Sequence, residues 1–245
     1  MALLFYDRNA GQGEFYDTDG QGNIALIKSY SGWRTSWTQI LPCTAAQSAG
    51  PNLFFYDGNT GAAEFYSTDF LANISLLSSS TYSKGWTHIV PGYFAAGNSN
   101  SALLFYNSSS GLAQFYSTDG QGGIHQLSSH TYSKGWTHIV PGEFTSTGNT
   151  SLLFYNGSSG LAQFYSTDGH GGINQLSSST YSKGWTFIIP CRLGATYTDL
   201  LFYNRSSGLG QFYVPDGQGG INQLSSHTGW RTSWAEIVSV DLPHA

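Results

Sequence analysis

Residues 136–180 read WTHIVPGEFTSTGNTSLLFYNGSSGLAQFYSTDGHGGINQLSSST, and this stretch decides the fold. It holds four short runs with strand character: 136–144, 152–155, 161–166 and 173–177. Between them stand Asn156-Gly157-Ser158-Ser159-Gly160 and Asp168-Gly169-His170-Gly171-Gly172, rich in residues that tolerate positive φ. No segment has the apolar spacing or the length of a helix.

The same unit recurs about every fifty residues. Its first anchor is Phe5-Tyr6, Phe55-Tyr56, Phe105-Tyr106, Phe154-Tyr155 and Phe202-Tyr203. A second Phe-Tyr pair follows ten residues on: Phe15-Tyr16, Phe65-Tyr66, Phe115-Tyr116, Phe164-Tyr165 and Phe212-Tyr213. A third anchor is the tryptophan opening an Ile-Val-Pro-like run, at Trp37, Trp86, Trp136, Trp185 and Trp234. Five four-stranded units predict an all-β, five-bladed β-propeller over residues 1–245, with four antiparallel strands per blade. The chain starts at the second strand of a unit and ends, over 234–242, at a first strand. The C-terminal strand is therefore expected to complete the N-terminal blade and close the ring.

Composition narrows the function. Charged residues make up 9%, aromatics 16%, and there are 31 glycines, which excludes a disordered chain. The net charge is −5 with only nine Lys and Arg, so no basic footprint exists for nucleic acid. No run of about eighteen apolar residues is present, so no membrane insertion is expected. MALLFYD at residues 1–7 lacks the basic and apolar regions of a signal peptide, giving a cytoplasmic protein or one secreted without a visible signal. Cys43 and Cys191 occupy the same position of non-adjacent repeats, so two buried thiols are expected rather than a disulfide. Two cysteines without clustered histidines make no zinc site, and no cofactor is expected. Nothing indicates oligomerisation.

Two family resemblances follow from the repeat. W-x-x-I-V-P-G-x-F, then L-L-F-Y-N and a Gly-rich turn, resembles the FG-GAP type of propeller repeat. That family often holds calcium in the loop after the first strand. Here residues 95–100 (AAGNSN) and 145–150 (TSTGNT) lack carboxylates, so no metal is expected there. Gly32-Trp33-Arg34 and Gly229-Trp230-Arg231, placed before the innermost strand, resemble the tachylectin family of five-bladed lectins. The resemblance implies multivalent carbohydrate binding, of N-acetylated sugars such as N-acetylglucosamine or other neutral glycans, in pockets between adjacent blades. The alternative is a protein-interaction or structural scaffold.

The candidate ligand-binding residues sit on one side of the disc. The five inner-strand tryptophans read as inter-blade packing. The second aromatic of each connecting segment is Trp33, Tyr82, Tyr132, Tyr181 or Trp230, open both to packing and to stacking on a sugar. Beside it stands a cation: Arg34, Lys84, Lys134, Lys183 or Arg231, each Lys one place beyond the Arg when the repeats are aligned without gaps. A flat apolar surface next to a donor suits a pyranose, with its C–H face and its hydroxyls. Asp7, Asp57, Asn107, Asn156 and Asn204 begin a loop on the same side; they read as turn formers and as the nearest hydrogen-bonding groups. Asp19, Asp69, Asp119, Asp168 and Asp216 open Gly-rich turns on the other side and read as structural, and the Phe-Tyr pairs read as core.

Catalysis is not expected from this pattern. Glycoside hydrolysis needs two carboxylates in different environments facing one bond. The acids unique to one repeat are Glu143, Asp241, Glu236, Asp199 and Asp17, and only Glu143 and Asp241 share an inner-strand position. His88, His138 and Glu236 share another, with Gln39 and Phe187 in the remaining repeats. No nucleophilic triad or metal-ligand spacing stands out.

Overall fold

A computed structural model describes residues 2–18, 24–44, 52–69, 71–96, 100–145, 150–191, 197–230 and 232. Blade 1 holds β1 (Ala2–Asp7), β2 (Gln12–Thr18) and β3 (Ile24–Tyr30). Blade 2 holds β4 (Gln39–Cys43), β5 (Asn52–Tyr56), β6 (Ala62–Thr68) and β7 (Ile74–Thr81). Blade 3 holds β8 (His88–Gly92), β9 (Ala102–Tyr106), β10 (Leu112–Thr118) and β11 (Ile124–Thr131). Blade 4 holds β12 (His138–Gly142), β13 (Ser151–Tyr155), β14 (Leu161–Thr167) and β15 (Ile173–Thr180). Blade 5 holds β16 (Phe187–Cys191), β17 (Asp199–Asn204), β18 (Leu209–Pro215) and β19 (Ile221–His227). Each sheet is an antiparallel meander, and together they form the five-bladed propeller. The strand expected over 234–242 lies outside the described residues.

Burial peaks at the second strand of a blade and falls outward from there, and the sequence explains why. The second strands β5, β9 and β13 are buried at every position, so both their faces meet neighbours and they read as unbroken apolar runs. The third strands alternate, as in β14 (LAQFYST). The outer strands are largely exposed and carry Ser, Thr, Gln and His. Between the third and outer strands the register slips by one residue, at Phe65/Tyr66 in blade 2 and at the matching pair of every other blade. Such a bulge sharpens the local twist, which a narrow blade requires.

The blades are joined at three levels. Inner strands of neighbouring blades are in contact from β4 through β8 and β12 to β16. At one shared position, His88 Nε2 donates to the Thr137 carbonyl and His138 Nε2 to the Thr186 carbonyl, each over 3.1 Å. Gln39 plays the same part, donating to the Trp86 carbonyl and accepting from Ile89 N. In mid-blade, Trp37, Trp86, Trp136 and Trp185 are 3–5% exposed and meet Phe55, Phe105, Phe154 and Phe202 edge to face. Their assignment to packing is correct. At the rim, Ser78, Ser128 and Ser177 hydroxyls donate to the carbonyls of Gly122, Gly171 and Gly219 in the next blade. Gly171 shows why glycine stands there: its φ is +83°, and an added Cβ would lie 2.6 Å from Ser128 Oγ and 3.0 Å from Phe115 Cβ.

Two expectations need correction. Cys43 is buried, but Cys191 is only half-buried at the end of β16; both are thiols. Burial, then the nearby Asp199 carboxylate, pushes the Cys191 thiol up to about 11. The Phe-Tyr pairs are not uniformly core either. Tyr56, Tyr106, Tyr155 and Tyr203 are fully buried, whereas Tyr66, Tyr116 and Tyr165 are half-buried and face the blade junctions.

Candidate functional site

The segment linking β3 to β4 passes over the junction of blades 1 and 2 and forms one wall of a hollow of about 270 Å³. Gly32, Trp33, Arg34 and Trp37 line it from the linker; Phe55, Glu64, Tyr66 and Ile74 line it from blade 2. Two backbone ties hold the linker: Trp33 N donates to the Gly11 carbonyl at 2.9 Å, and Tyr6 Oη donates to the Arg34 carbonyl at 2.5 Å. The Trp33 indole stacks against Tyr30 and Tyr6 at 5.6 and 6.1 Å and meets the edge of Phe55 at 5.2 Å. It lies over Gly13, where a Cβ would sit 2.4 Å from a ring atom.

The polar side of the hollow is a connected set. Arg34 Nη2 is 2.9 Å from Glu64 Oε1; the arginine side chain is 54% exposed and the glutamate 9%. Tyr66 Oη donates to Glu64 Oε2 at 2.5 Å. Burial and this bond to a carboxylate push the Tyr66 phenol well above its usual range, so Tyr66 stays a donor. The Arg34 guanidinium also lies over the Trp37 ring, 5.0 Å from its centroid. Apolar rings, an accepting carboxylate and a partly free guanidinium therefore share one notch. Phe55 and Tyr66 belong to the repeated Phe-Tyr pairs and read as core, while Glu64 and Ile74 were not singled out. The available signal was that Glu64 and Glu14 stand where the other repeats carry Gln114, Gln163 and Gln211.

The remaining predicted residues are placed differently. Tyr82, Tyr132, Tyr181 and Trp230 are half-buried, each with its amide bonded to the glycine equivalent to Gly11. The basic residues are not equivalent to Arg34. Tyr56, Tyr106 and Tyr155 hydroxyls donate to the Ser83, Ser133 and Ser182 carbonyls, just as Tyr6 does to Arg34. Serine thus takes the place of Arg34, while Lys84, Lys134 and Lys183 come one residue later and are exposed. Arg231 lies outside the described residues.

The Asx side chains are engaged in their turns. Asn156 Oδ1 accepts from Ser158 N and Ser159 N, and its amide donates to the Gly135 carbonyl in the linker. Asn107 and Asn204 repeat this with Gly85 and Gly184. Asp7 Oδ1 caps Asn9 N in the same way. Asp57 is buried; burial alone would raise its carboxyl, but bonds from the Thr60 hydroxyl and the Asn59 amide hold it below its usual range. On the opposite side, Asp119 and Asp168 accept from Gly123 N and Gly172 N and are held low by such amides.

A larger hollow of about 390 Å³ opens at one end of the central channel. Pro42, Pro91 and Pro141 line it with Tyr93 and Thr198, and Glu143 is the single charged group among its lining residues. Asp241, the suggested partner of Glu143, and Glu236 lie outside the described residues. His88 and His138, held below the ordinary imidazole range chiefly by burial, are occupied in joining blades. Among the described residues, no three His, Cys, Asp or Glu side chains converge as a metal-binding group.

No protein-family model matches the chain, and no curated protein does. Solved structures match its fold. A protein from Lactobacillus plantarum aligns with a TM-score of 0.61 at 13% identity, over 94% of this chain and 69% of its own. A putative 6-phosphogluconolactonase from Bacteroides uniformis gives 0.60 at 14% identity, over 94% and 68%. The periplasmic gluconolactonase of Pseudomonas aeruginosa gives 0.58 at 14%, over 94% and 67%. At these identities the likeness is one of fold. It nevertheless corrects the expectation drawn above against catalysis, because similar architecture occurs in proteins described as lactonases. The chain has the fold of a five-bladed β-propeller whose first junction carries an aromatic notch with an Arg–Glu–Tyr set.

Proposed function

We propose that the protein is a carbohydrate-binding propeller that holds neutral sugars in a notch between blades. The observation that carries this reading is the hollow between blades 1 and 2, where Trp33 stands beside the Arg34–Glu64 pair. A pyranose needs an apolar surface for its C–H face and both donors and acceptors for its hydroxyls, and this notch offers all three. Its volume of about 270 Å³ suits one ring rather than a long chain. Where more than one junction binds, a rigid disc raises avidity by about 10²–10⁴ without any new contact.

A second reading is a protein-interaction scaffold. The exposed leucines of the outer strands favour it: Leu26, Leu76, Leu127, Leu176 and Leu224 give every blade one apolar side chain at the rim. A glycan array separates the two. It is followed by tryptophan-fluorescence titration with N-acetylglucosamine, fucose and galactose. Binding that disappears in Trp33→Ala while the far-UV spectrum stays β supports the sugar site. Silence toward every glycan refutes it.

A further inference from the structure

We infer that the Arg34–Glu64 pair is the specificity determinant of the notch, admitting a neutral pyranose with adjacent hydroxyls, and that junctions built with Ser and Gln in those places do not bind. This rests on the carbohydrate reading above. The argument starts from two substitutions that change together along the chain. Where the second aromatic is Trp, as at Trp33 and Trp230, the residue beneath it is Gly13 or Gly210. Where it is Tyr, as at Tyr82, Tyr132 and Tyr181, the corresponding residue is Ala63, Ala113 or Ala162. The indole settles onto its own blade because a Cβ there would stand 2.4 Å from Trp33 and 2.6 Å from Trp230. With that support at Gly13, the first junction keeps its hollow.

Both kinds of aromatic meet the phenylalanine of the next blade, as Trp33 meets Phe55, but the tyrosines carry a hydroxyl on towards the third strand of that blade. Tyr132 packs edge to face on Phe154 of the next blade, and its phenol is raised by burial and by the neighbouring Tyr165 and Asp168 of that blade. Its hydroxyl is buried with no hydrogen-bond partner, as in a closed junction. Tyr82 and Tyr181 likewise face Phe105 and Phe202.

The polar groups change in the same sense. Across the first junction Arg34 meets Glu64. Across the next three, Ser83, Ser133 and Ser182 stand opposite repeats that carry Gln114, Gln163 and Gln211, whose carbonyls accept from Tyr116, Tyr165 and Tyr213 as Glu64 does from Tyr66. There a neutral amide replaces the carboxylate, and a serine replaces its cation. At the notch, Glu64 accepts from one hydroxyl while the unengaged edge of Arg34 donates to its neighbour. These charge-assisted bonds are about twice as strong as neutral ones. The fifth repeat matches the first in sequence alone: Gly210, Trp230 and Arg231 correspond to Gly13, Trp33 and Arg34, and blade 1 carries Glu14 where blade 2 carries Glu64.

Equilibrium dialysis with N-acetylglucosamine, galactose and fucose tests this on the full chain. R34S/E64Q gives the first junction the residues of the other three and is expected to keep the fold. It should remove one site, or weaken that site at least tenfold. The reverse conversion at the second junction, A63G/Y82W/S83R/Q114E, should add one. Unchanged stoichiometry and affinity in R34S/E64Q, or an unmodified protein that fills every junction equally, would overturn the inference and leave sugar binding standing. No uptake of any probe by the unmodified protein would overturn the carbohydrate reading, and this inference with it.

Discussion

Gly13→Ala is the sharpest test of how the linker aromatic is seated. The added methyl carbon would lie 2.4, 2.5 and 2.8 Å from three atoms of the Trp33 ring. Ordinary carbon contacts are about 3.5–4.0 Å, so the indole must retreat by roughly 1 Å. It has little room, because Tyr6 and Tyr30 stack against it and Phe55 meets its edge. Overpacking of this kind costs about 1–3 kcal/mol. For a chain of this size that lowers Tm by about 2–12 °C. Urea melts and thermal scans read both quantities. The second arm is W33Y/G13A, which rebuilds the Tyr–Ala pairing found at Tyr82 with Ala63. The double variant should recover at least about 1 kcal/mol relative to the sum of the single changes, a coupling typical of touching residues. A harmless G13A, or strictly additive effects, would refute the link between aromatic size and the residue beneath it.

Three further outcomes follow from the same geometry. Gly171→Ala puts a Cβ 2.6 Å from Ser128 Oγ at a φ of +83°, so it should destabilise by about 1–3 kcal/mol, whereas Gly157→Ala, whose nearest neighbour is 3.3 Å away, should cost far less; chemical denaturation compares them. Arg34→Ala leaves the largely buried Glu64 carboxylate without its cation, and the loss should be about 1–2 kcal/mol, between surface and buried pairs, shrinking as salt is added to unfolding titrations. Burial holds His88 and His138 below the ordinary 6.5, so the unfolded chain takes up protons first as pH falls. Their stabilising share is therefore complete above about pH 6.5 and is lost as pH drops through their lower native values. H88Q/H138Q, which copies the glutamine found at Gln39, should flatten Tm between pH 7 and 5; an unchanged slope would contradict the assignment.

The blade plan was legible because its strands are short apolar or alternating runs and its turns use few residue types. Trp136 to Thr180 reads as four strands from its residues alone, and β12 to β15 occupy that stretch. The same holds for Asn156 and Asp168, whose side chains bond the amides two residues on, a local geometry that needs no tertiary partner. Contacts across a junction were not legible. Arg34 and Glu64 are thirty residues apart in different blades, and repeat alignment places residues within a unit rather than between units. The basic residues show the cost of a gapless alignment: Lys84 stands near Arg34 in register, yet Ser83 is the residue that Tyr56 binds. The match of Cys191 with Cys43 predicts equal burial, but equal positions in two repeats are equally buried only when the surrounding loops are equal too.

That difference between core and junction explains where this fold leaves room for function. A residue of β9 or β13 is enclosed on both faces, so a changed side chain there leaves a void or a clash worth several kcal/mol. All blades therefore keep nearly the same Leu-Leu-Phe-Tyr strand. The linkers touch their blades through backbone bonds, such as Trp33 N to Gly11 O and Tyr82 N to Gly61 O, which any side chain satisfies. Their side chains vary, but in matched sets: indole with glycine, phenol with alanine, guanidinium with carboxylate. Such pairing is what steric and charge complementarity demand when one partner is buried and cannot relax into solvent. A five-fold repeat built this way holds its shape through strands that cannot change and differentiates its junctions through linkers that can. Differences in ligand binding among the junctions should accordingly track the linker and the third strand it faces, and leave the second strands untouched.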